Sequence, residues 1–269
     1  MMSVGTLAAF MVFNIAVNLT RFRVPSRACS RRNHAGTLIL SGSLDKTAIV
    51  WDAGTGKLVK QFRFHDAPML DVDWRNDSEF ATCSTDRVIC VCQVDSSTPL
   101  RRFYGHDNEV NAIEWDPTGR MLASCSDDRT AKIWTMDSEE PVCRLTHDKE
   151  IYTCQWRRSL EGEASQSPML ATASFDATVK LWDVERKSEI HTLRGHSEPV
   201  YTIAFNHTGE YLLSGSFDKL LHVWSVKDGS LVRTYRSSGG IFEACWSNDG
   251  SQMAACHADN SVSVIDFRM

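Results

Sequence analysis

One pattern of residues recurs six times along this chain of 269 residues and constrains its fold more than any other feature. The pattern is Ser-x-Asp, with His257 in place of the serine in the last copy, and a Trp or a substitute follows six residues after each Asp. The aspartates are Asp45, Asp86, Asp128, Asp176, Asp218 and Asp259, at spacings of 41, 42, 48, 42 and 41 residues. Such a period indicates a repeat protein, in which each copy is one supersecondary unit packed on its neighbours.

The residues inside each repeat predict β-strands. An apolar–polar alternation ending in an aromatic residue occupies 110–115, 151–156 and 200–205, which is the pattern of a half-buried strand. Turn-forming clusters at 116–119 and 206–209 then reverse the chain. We therefore predict four short antiparallel strands per repeat. Four such strands, a period near 42 residues and the Trp-Asp pairs at 51–52 and 182–183 are together typical of a WD40 β-propeller blade.

The fold class predicted is all-β, a WD40 β-propeller with about five complete blades and a partial one. The propeller region is assigned to residues 33–269, which contain 237 residues. Residues 33–36 are interpreted as the turn into the second strand of a blade whose first strand is absent. The 48-residue spacing is attributed to a lengthened surface loop at 160–168, which costs little closure entropy.

Residues 1–32 do not fit the repeat and are treated as an atypical N-terminal segment. Leu7 to Val17 is apolar, but no charge precedes it, and it is shorter than the ~20 apolar residues of a membrane-spanning helix. We favour an alternative start or a gene-model artefact over a targeting or anchoring segment, and we expect no membrane partner.

Composition excludes several classes of protein. With 42% hydrophobic residues, 23% charged residues and a net charge of −5, the chain is typical of a globular protein. A mildly acidic chain is a poor general nucleic-acid binder, because binding to phosphates requires basic residues. The nine cysteines are odd in number and include no CxxC motif, which argues for reduced thiols rather than a disulfide framework or a zinc ribbon.

The recurring His, Ser and Asp residues suggest a catalytic triad at first sight, for example His106, Ser124 or Ser126, and Asp128. Recurrence argues against this hypothesis, since an active site is needed once and a structural network is needed in every blade. We assign no catalytic, metal-binding or cofactor-binding residue and expect no cofactor and no small-molecule ligand. The structural network is instead assigned to His106, Asp128, Trp134, His196, Asp218 and Trp224.

The surface offered for binding is predicted to be aromatic in the fourth to sixth repeats. The residue before the Asp is Phe175 or Phe217 in two of them, and the second residue of the first strand is Tyr152, Tyr201 or Phe242. Aromatic residues at a polar surface are typical of docking sites, because they dominate interface energetics. We predict that these five residues contact a protein partner; the alternative is that some of them fill the junctions between blades.

Several stretches resemble one family in particular. These are residues 64–74, 105–119 and 214–219, together with Tyr235-Arg236 and residues 239–243. They are similar to the transducin-beta-like, F-box-like/WD-repeat corepressor subunits, and the resemblance extends from about Asn33 to Met269. It also includes the last repeat without the histidine and the long loop of the fourth unit.

The resemblance implies a nuclear, non-enzymatic subunit of a nuclear-receptor corepressor and histone deacetylase complex. It implies corepressor, histone deacetylase and histone-tail-like peptides as partners, no sequence-specific binding of nucleic acid, and a role in recruiting ubiquitin machinery for corepressor exchange. Full-length family members carry LisH and F-box-like segments and eight blades, so this sequence would be an N-terminally truncated form. The alternative is a cytoplasmic WD-repeat scaffold in ubiquitin ligation or other complex assembly.

Overall fold

The computed structural model describes residues 27–158 and 167–267. Within these ranges the regular elements are 23 β-strands arranged in six antiparallel sheets. The apolar segment Leu7 to Val17 lies outside the described residues, as does most of the loop predicted at 160–168. No helix in the described ranges has the length and apolar character needed to cross a membrane.

The strands of each sheet follow one another in chain order, so that each sheet is a simple meander. The first sheet contains β1 (Arg27–Arg32), β2 (Leu38–Ser43), β3 (Ala48–Asp52) and β4 (Leu58–Phe62). The second contains β5 (Met69–Trp74), β6 (Glu79–Ser84), β7 (Ile89–Gln93) and β8 (Arg101–Phe103). The third contains β9 (Val110–Trp115), β10 (Met121–Ser126), β11 (Thr130–Thr135) and β12 (Cys143–Thr146).

The remaining three sheets repeat the arrangement, except that the last has three strands. The fourth sheet contains β13 (Ile151–Trp156), β14 (Met169–Ser174), β15 (Thr178–Asp183) and β16 (Ser188–Arg194). The fifth contains β17 (Val200–Phe205), β18 (Tyr211–Ser216), β19 (Leu220–Ser225) and β20 (Leu231–Arg236). The sixth contains β21 (Ile241–Trp246), β22 (Gln252–His257) and β23 (Val262–Asp266).

Five complete blades and one partial blade are therefore present, as predicted, but the partial blade is the last one. The prediction that the first blade lacks its first strand is wrong. Strand β1 already begins at Arg27 and pairs with β2, with Arg31 opposite Leu40 and Arg32 opposite Ile39. Its sequence, Arg-Ala-Cys-Ser-Arg-Arg, has no apolar alternation, so backbone pairing rather than side-chain pattern defines it.

The described residues fall into two compact units. One comprises the residues up to Asp128 together with Lys132–Val142, and the other comprises Arg129–Ala131 and the residues from Cys143 onward. Each unit has its own apolar clusters. In the first unit Phe103, Trp115 and Trp134 pack together, and in the second Leu181, Leu212 and Trp224 do so.

The recurring Asp stands in the turn between the second and third strands of every sheet. The residue after it has a left-handed backbone, with φ between 64° and 73° at Lys46, Arg87, Arg129, Ala177, Lys219 and Asn260. Such a conformation is unusual for a residue other than glycine. The Asp side chain offsets the cost, because its Oδ1 accepts the backbone N–H two residues later, as at Asp218 to Leu220 (2.8 Å).

Polar side chains link the first strands of consecutive sheets within each unit. Asp71 of β5 accepts a hydrogen bond from the backbone N–H of Ile113 (3.1 Å), and Asp73 accepts one from that of Trp115 (2.7 Å). In the second unit, Gln155 accepts from the N–H of Phe205 (2.6 Å). These bonds satisfy backbone donors of the first strands that would otherwise be left without an acceptor.

The two aspartates of β5 titrate unusually. Both retain some solvent contact, but protein surrounds them, and desolvation raises their pKa values although Arg31 acts in the opposite direction. The pKa of Asp73 rises to about 7, with Asp71 contributing by charge repulsion. The folded state therefore holds a proton on this carboxyl over a pH range in which the unfolded chain does not.

We expect Asp73→Asn to remove part of the pH dependence of stability. In the wild type, the folded-state pKa is raised, so the stabilisation is fully present below pH ~4 and is lost as pH rises towards 7. The variant's free energy of unfolding, relative to that of the wild type, should therefore rise from pH 4 to 7 and then level off. Urea denaturation at several pH values measures both free energies of unfolding. A difference between them that does not change with pH would contradict the raised pKa of Asp73.

Candidate functional site

A chain of four side chains ties the third sheet together. His106 Nδ1 lies 2.7 Å from Asp128 Oδ2, and His106 Nε2 lies 2.7 Å from Ser124 Oγ. The indole N–H of Trp134 donates to the same Ser124 Oγ at 2.8 Å. The backbone N–H of Asp107 donates to Asp128 Oδ2 at 3.0 Å. The carboxylate that holds the turn thus also holds the loop that precedes the first strand.

The donors and acceptors of this chain can be assigned. An indole N–H only donates, so the Ser124 hydroxyl accepts from Trp134 and gives its own proton to His106 Nε2. His106 then carries its proton on Nδ1 and donates it to Asp128. Burial lowers the pKa of His106, although the hydrogen bond to Asp128 acts in the opposite direction. The ring is accordingly neutral at physiological pH.

The same chain recurs in three other sheets. The histidine-to-aspartate distance is 2.9 Å for His65–Asp86, His147–Asp176 and His196–Asp218. The histidine-to-hydroxyl distance is 2.8 Å at Thr82, 2.7 Å at Thr172 and 2.8 Å at Ser214. Trp182 and Trp224 donate to the hydroxyl at 2.8 Å, whereas the second sheet has Cys92 at this position. All six residues assigned to the network from sequence thus lie in two such chains.

The arrangement in the third sheet has the connectivity of a Ser-His-Asp triad but not its accessibility. Ser124 is fully buried, and the side chains of His106 and Asp128 are 1% and 4% exposed. A substrate carbonyl has no route to Ser124, whose hydroxyl also accepts from Trp134. A nucleophile must be reachable from the substrate pocket. This burial argues against catalysis and supports the structural role assigned to the network from the sequence.

The carboxylates of Asp86, Asp176 and Asp218 have lowered pKa values and are ionised despite their partial burial. Burial by itself would raise the pKa of Asp218, but the hydrogen bond and charge of His196 and the backbone N–H groups of Ser197 and Leu220 lower it. The carboxylate is therefore charged and accepts hydrogen bonds from the turn and from the histidine at the same time. This dual use explains why Asp, rather than Asn, fits the four positions that face a histidine.

Two polar residues that the sequence analysis did not single out contact the network. Lys132 is 3% exposed, lies 3.6 Å from Asp128 Oδ2 and donates to the carbonyl of Gly105. His222 stacks on His196 at 4.2 Å, and burial, followed by the charge of His196, lowers the pKa of His222 to about 4. Lys132 and His222 each lie four residues after the recurring Asp of their repeat, on the third strand, where the first sheet has Ile49. A polar residue at this position of the third strand is the sequence signal that could have identified them.

His257 replaces the serine of the motif in the sixth sheet and builds a different set of bonds. Its Nδ1 lies 2.7 Å from Ser237 Oγ and its Nε2 lies 2.7 Å from Ser263 Oγ. The residue is 2% exposed. The last repeat thus has no histidine upstream of its first strand, and the buried imidazole comes from its second strand.

The five aromatic residues predicted to bind a partner lie together in the second unit, and we call them the aromatic surface: Tyr152, Phe175, Tyr201, Phe217 and Phe242. Tyr201 is central, with ring centroids 5.1 Å from Tyr152, 5.4 Å from Phe175 and 5.2 Å from Phe242. Phe217 lies 6.1 Å from Phe242 and is 39% exposed. The other four rings are half-buried. The rings form one continuous cluster of edge-on, tilted and stacked contacts.

β-Bulges direct three of these rings. The pairing register shifts between Ile151 and Thr153, between Val200 and Thr202, and between Ile241 and Glu243, so that Tyr152, Tyr201 and Phe242 are the extra residues. A bulge redirects a side chain and ends regular pairing locally. Gly215 permits the close approach at the second bulge, since a Cβ there would lie 2.6 Å from Ile241 and 2.8 Å from Thr202.

The equivalent positions of the first unit are not aromatic. The register shifts around Leu70 and around Asn111 in the same way. Asn111 donates to Asp127, the residue before the recurring Asp of that repeat, at 2.7 Å. The fold therefore supplies the same bulge and turn in both units, and only the residue types in the second unit give an aromatic surface.

The cysteines and other metal-ligating residues show no binding constellation. All nine cysteines are free, and burial raises the pKa of Cys90 to about 12. Among the described residues, no three His, Cys, Asp or Glu side chains are placed to share a metal ion. A thiol with so high a pKa is protonated and behaves as a small apolar group.

Comparison with known proteins agrees with the repeat assignment. The family model for the WD domain, G-beta repeat, matches residues 27–52, 56–92, 97–135, 139–183, 187–225 and 229–266. The F-box-like/WD repeat-containing protein TBL1X of Mus musculus is 53% identical over 259 residues, which is 95% of this chain and 49% of that protein. The WD40 repeat-containing protein HOS15 of Arabidopsis thaliana is 52% identical over 78% of this chain and 35% of that protein.

The chain spans between about a third and half of the length of these curated relatives. Among solved structures, the C-terminal WD40 domain of Sif2 superimposes with a TM-score of 0.80 over 92% of this chain and 71% of that one. At 22% identity this similarity concerns the fold alone. The fold and the resemblance predicted from the sequence are both confirmed.

We expect Asp128→Ala to destabilise the protein by about 3 kcal/mol, because it leaves His106 Nδ1 and the N–H of Asp107 without an acceptor and Lys132 without a counter-charge. Glu139→Ala, at an exposed position of the same repeat, should change stability by less than about 0.5 kcal/mol. Urea denaturation followed by tryptophan fluorescence measures both, and equal effects of the two variants would contradict the network's structural role.

Proposed function

The chain belongs to the WD40 repeat family, and from this premise we propose that it is an adaptor subunit of a nuclear-receptor corepressor–histone deacetylase complex. As a WD40 scaffold protein it is not an enzyme. Its role is to hold protein segments, including corepressor and histone-tail-like peptides, and to recruit ubiquitin machinery for corepressor exchange. The observation that carries the proposal is the aromatic surface, together with about 52% identity to TBL1X and HOS15.

The chemistry of the aromatic surface suits a protein segment. Aromatic side chains bury large areas on binding and are frequent among the residues that dominate interface energies. Burial, followed by the charge of Glu198, raises the pKa of the Tyr201 hydroxyl, so this group remains a hydrogen-bond donor. The surface therefore combines apolar contact area with at least one polar group that can orient a peptide.

The surface is held in place before a partner arrives. The turn carrying Phe175 is fastened by a hydrogen bond from its N–H to the carbonyl of Glu150 (2.9 Å). The turn carrying Phe217 is fastened in the same way to Pro199 (3.1 Å). The entropy cost of ordering then falls on the peptide rather than on the protein, which supports a moderate affinity.

We expect the double variant Tyr201→Ala/Phe217→Ala to weaken binding of a corepressor-derived peptide at least tenfold at an unchanged melting temperature. The two substitutions remove the centre and the most exposed member of the aromatic surface. Fluorescence anisotropy with overlapping corepressor and histone-tail peptides measures the dissociation constants of the wild type and the variant. Tyr104→Ala, at a tyrosine that is 60% exposed outside this surface, is the matched control and should bind within twofold of wild type. Undiminished binding by the double variant would place the docking site elsewhere.

We also expect the tagged chain to co-purify from nuclear extract with a histone deacetylase and a corepressor, and the double variant to recover less of both. Quantitative mass spectrometry of nuclear and cytoplasmic fractions measures this. Recovery with ubiquitin-ligase components from the cytoplasmic fraction alone would favour the alternative, a cytoplasmic WD-repeat scaffold.

A further inference from the structure

The loop between β7 and β8 exposes a threonine that neither the hydrogen-bonded network nor the aromatic surface uses. Thr98 stands in the sequence Thr-Pro-Leu-Arg at residues 98–101 and is exposed to solvent. Its hydroxyl has no hydrogen-bond partner among residues 27–158 and 167–267. An exposed hydroxyl of this kind is a candidate acceptor for a phosphoryl group, a modification that adds a charge of about −1.5 to −2.

The backbone at Thr98 suits an enzyme that transfers a phosphoryl group. The attacking oxygen must lie in line with the leaving oxygen of the nucleotide, so the acceptor residue needs an accessible, extended segment. Pro99 favours an extended conformation at Thr98, because its ring clashes with a helical residue before it. Strand β8 follows directly and pairs only with β7 among the described strands. Residues 98–101 therefore run along the edge of the second sheet.

The residues after Thr98 indicate the class of enzyme. Pro99 has no backbone N–H, so only an enzyme that makes no hydrogen bond to this position can bind the segment closely. Arg101, three residues after Thr98, offers a guanidinium that can pair with a carboxylate or a phosphate of the enzyme. A proline directly after the acceptor, with a basic residue two positions further on, is the pattern that proline-directed protein kinases recognise.

A second residue that precedes a proline, Ser167, lacks these properties. It is the other such serine or threonine in the part of the chain that the structure describes. Its hydroxyl donates to Glu185 Oε2 at 3.0 Å, and the residue three positions after it is Leu170, which is fully buried. Thr98 is therefore the better acceptor, because its hydroxyl is unbonded and a basic residue follows it.

A cation of the first sheet already lies against the loop that carries Thr98. Lys60 of β4 donates from Nζ to the carbonyl of Ser96 at 3.0 Å. The Oγ of Ser96 accepts from the N–H of Thr98 (3.2 Å) and donates to its carbonyl (2.7 Å), so that residues 96 and 98 are adjacent. A phosphate on Thr98 would offer Lys60 a charged acceptor in place of a neutral carbonyl, and charge-assisted hydrogen bonds are the stronger ones.

We propose that Thr98 is a phosphorylation site for a proline-directed kinase and that its phosphate binds Lys60, which fastens the β7–β8 loop to the first sheet. Thr98 Oγ1 attacks the γ-phosphorus of ATP held by the kinase, and the bond from this phosphorus to the β–γ bridging oxygen breaks. ADP leaves with the electron pair of that bond, and the hydroxyl proton passes to a carboxylate base of the kinase. The site is separate from the aromatic surface and does not depend on the proposed function.

The first test incubates the purified full chain with ATP and a cyclin-dependent kinase, and mass spectrometry locates and quantifies the phosphate. We expect phosphate on Thr98, and Thr98→Val, which keeps the shape of the side chain without its hydroxyl, should abolish it. Arg101→Gln should lower the rate at least tenfold, whereas Arg101→Lys should restore it to within threefold of wild type. Ser167→Ala is the matched control and should react within twofold of wild type.

Two results of this test would overturn the proposal. One is the absence of phosphate on Thr98, and the other is a loss of total phosphate in Ser167→Ala as large as in Thr98→Val. Melting temperatures confirm that the variants fold. If Arg101→Gln does not fold, Pro99→Ala takes its place and should also lower the rate at least tenfold.

Phosphorus-31 NMR tests the contact with Lys60 on the phosphorylated chain. A nearby ammonium stabilises the doubly charged phosphate, so the second pKa of the phosphothreonine should be lower in wild type than in Lys60→Gln by at least ~0.3 pH units. Lys57→Gln, at an exposed lysine just before β4, is the matched control and should leave this pKa within ~0.1 pH units of wild type. Equal values in wild type and Lys60→Gln would overturn the assigned contact.

Discussion

In four of the six sheets, the carboxylate of the recurring Asp makes the interactions on which the rest of the sheet depends. One oxygen accepts the backbone N–H two residues later and so holds a turn whose next residue is left-handed without being glycine. The other oxygen accepts from the histidine and from the backbone that follows it, as Asp218 does from His196 and Ser197. A single charged group thereby fastens a hairpin to the loop before its first strand. A neutral amide could not accept all of these bonds, because one of its two terminal atoms only donates.

This use of polar residues determines where function can reside. The histidine, hydroxyl and carboxylate groups that could perform chemistry are largely buried and bound to one another in four sheets. An indole joins them in three of these sheets. Two positions in each repeat are not part of this hydrogen-bonded network. They are the bulge residue of the first strand and the residue before the recurring Asp. In the second unit these positions hold aromatic residues, and their rings make one cluster around Tyr201. The constant part of the repeat thus builds a frame, and the variable part supplies the aromatic surface.

The sixth sheet differs from the others in a consistent way. It has Ile265 where most repeats have Trp, its buried imidazole is that of His257, and it has three strands. Its third strand is the most exposed of the six.

The sequence alone determined the repeat, the strand content, the hydrogen-bonded residues and the positions of the aromatic residues, because each depends on spacing and on local chemistry repeated in several copies. It did not reveal β1, whose residues lack an apolar alternation and which backbone pairing with β2 defines. It also missed Lys132, His222 and the pair Asp71 and Asp73, since their partners lie in other strands or in the neighbouring sheet. Only the tertiary structure decided that the aromatic rings touch. Contact between them depends on which strands become neighbours, and the period of a repeat does not specify the distance between side chains of neighbouring sheets.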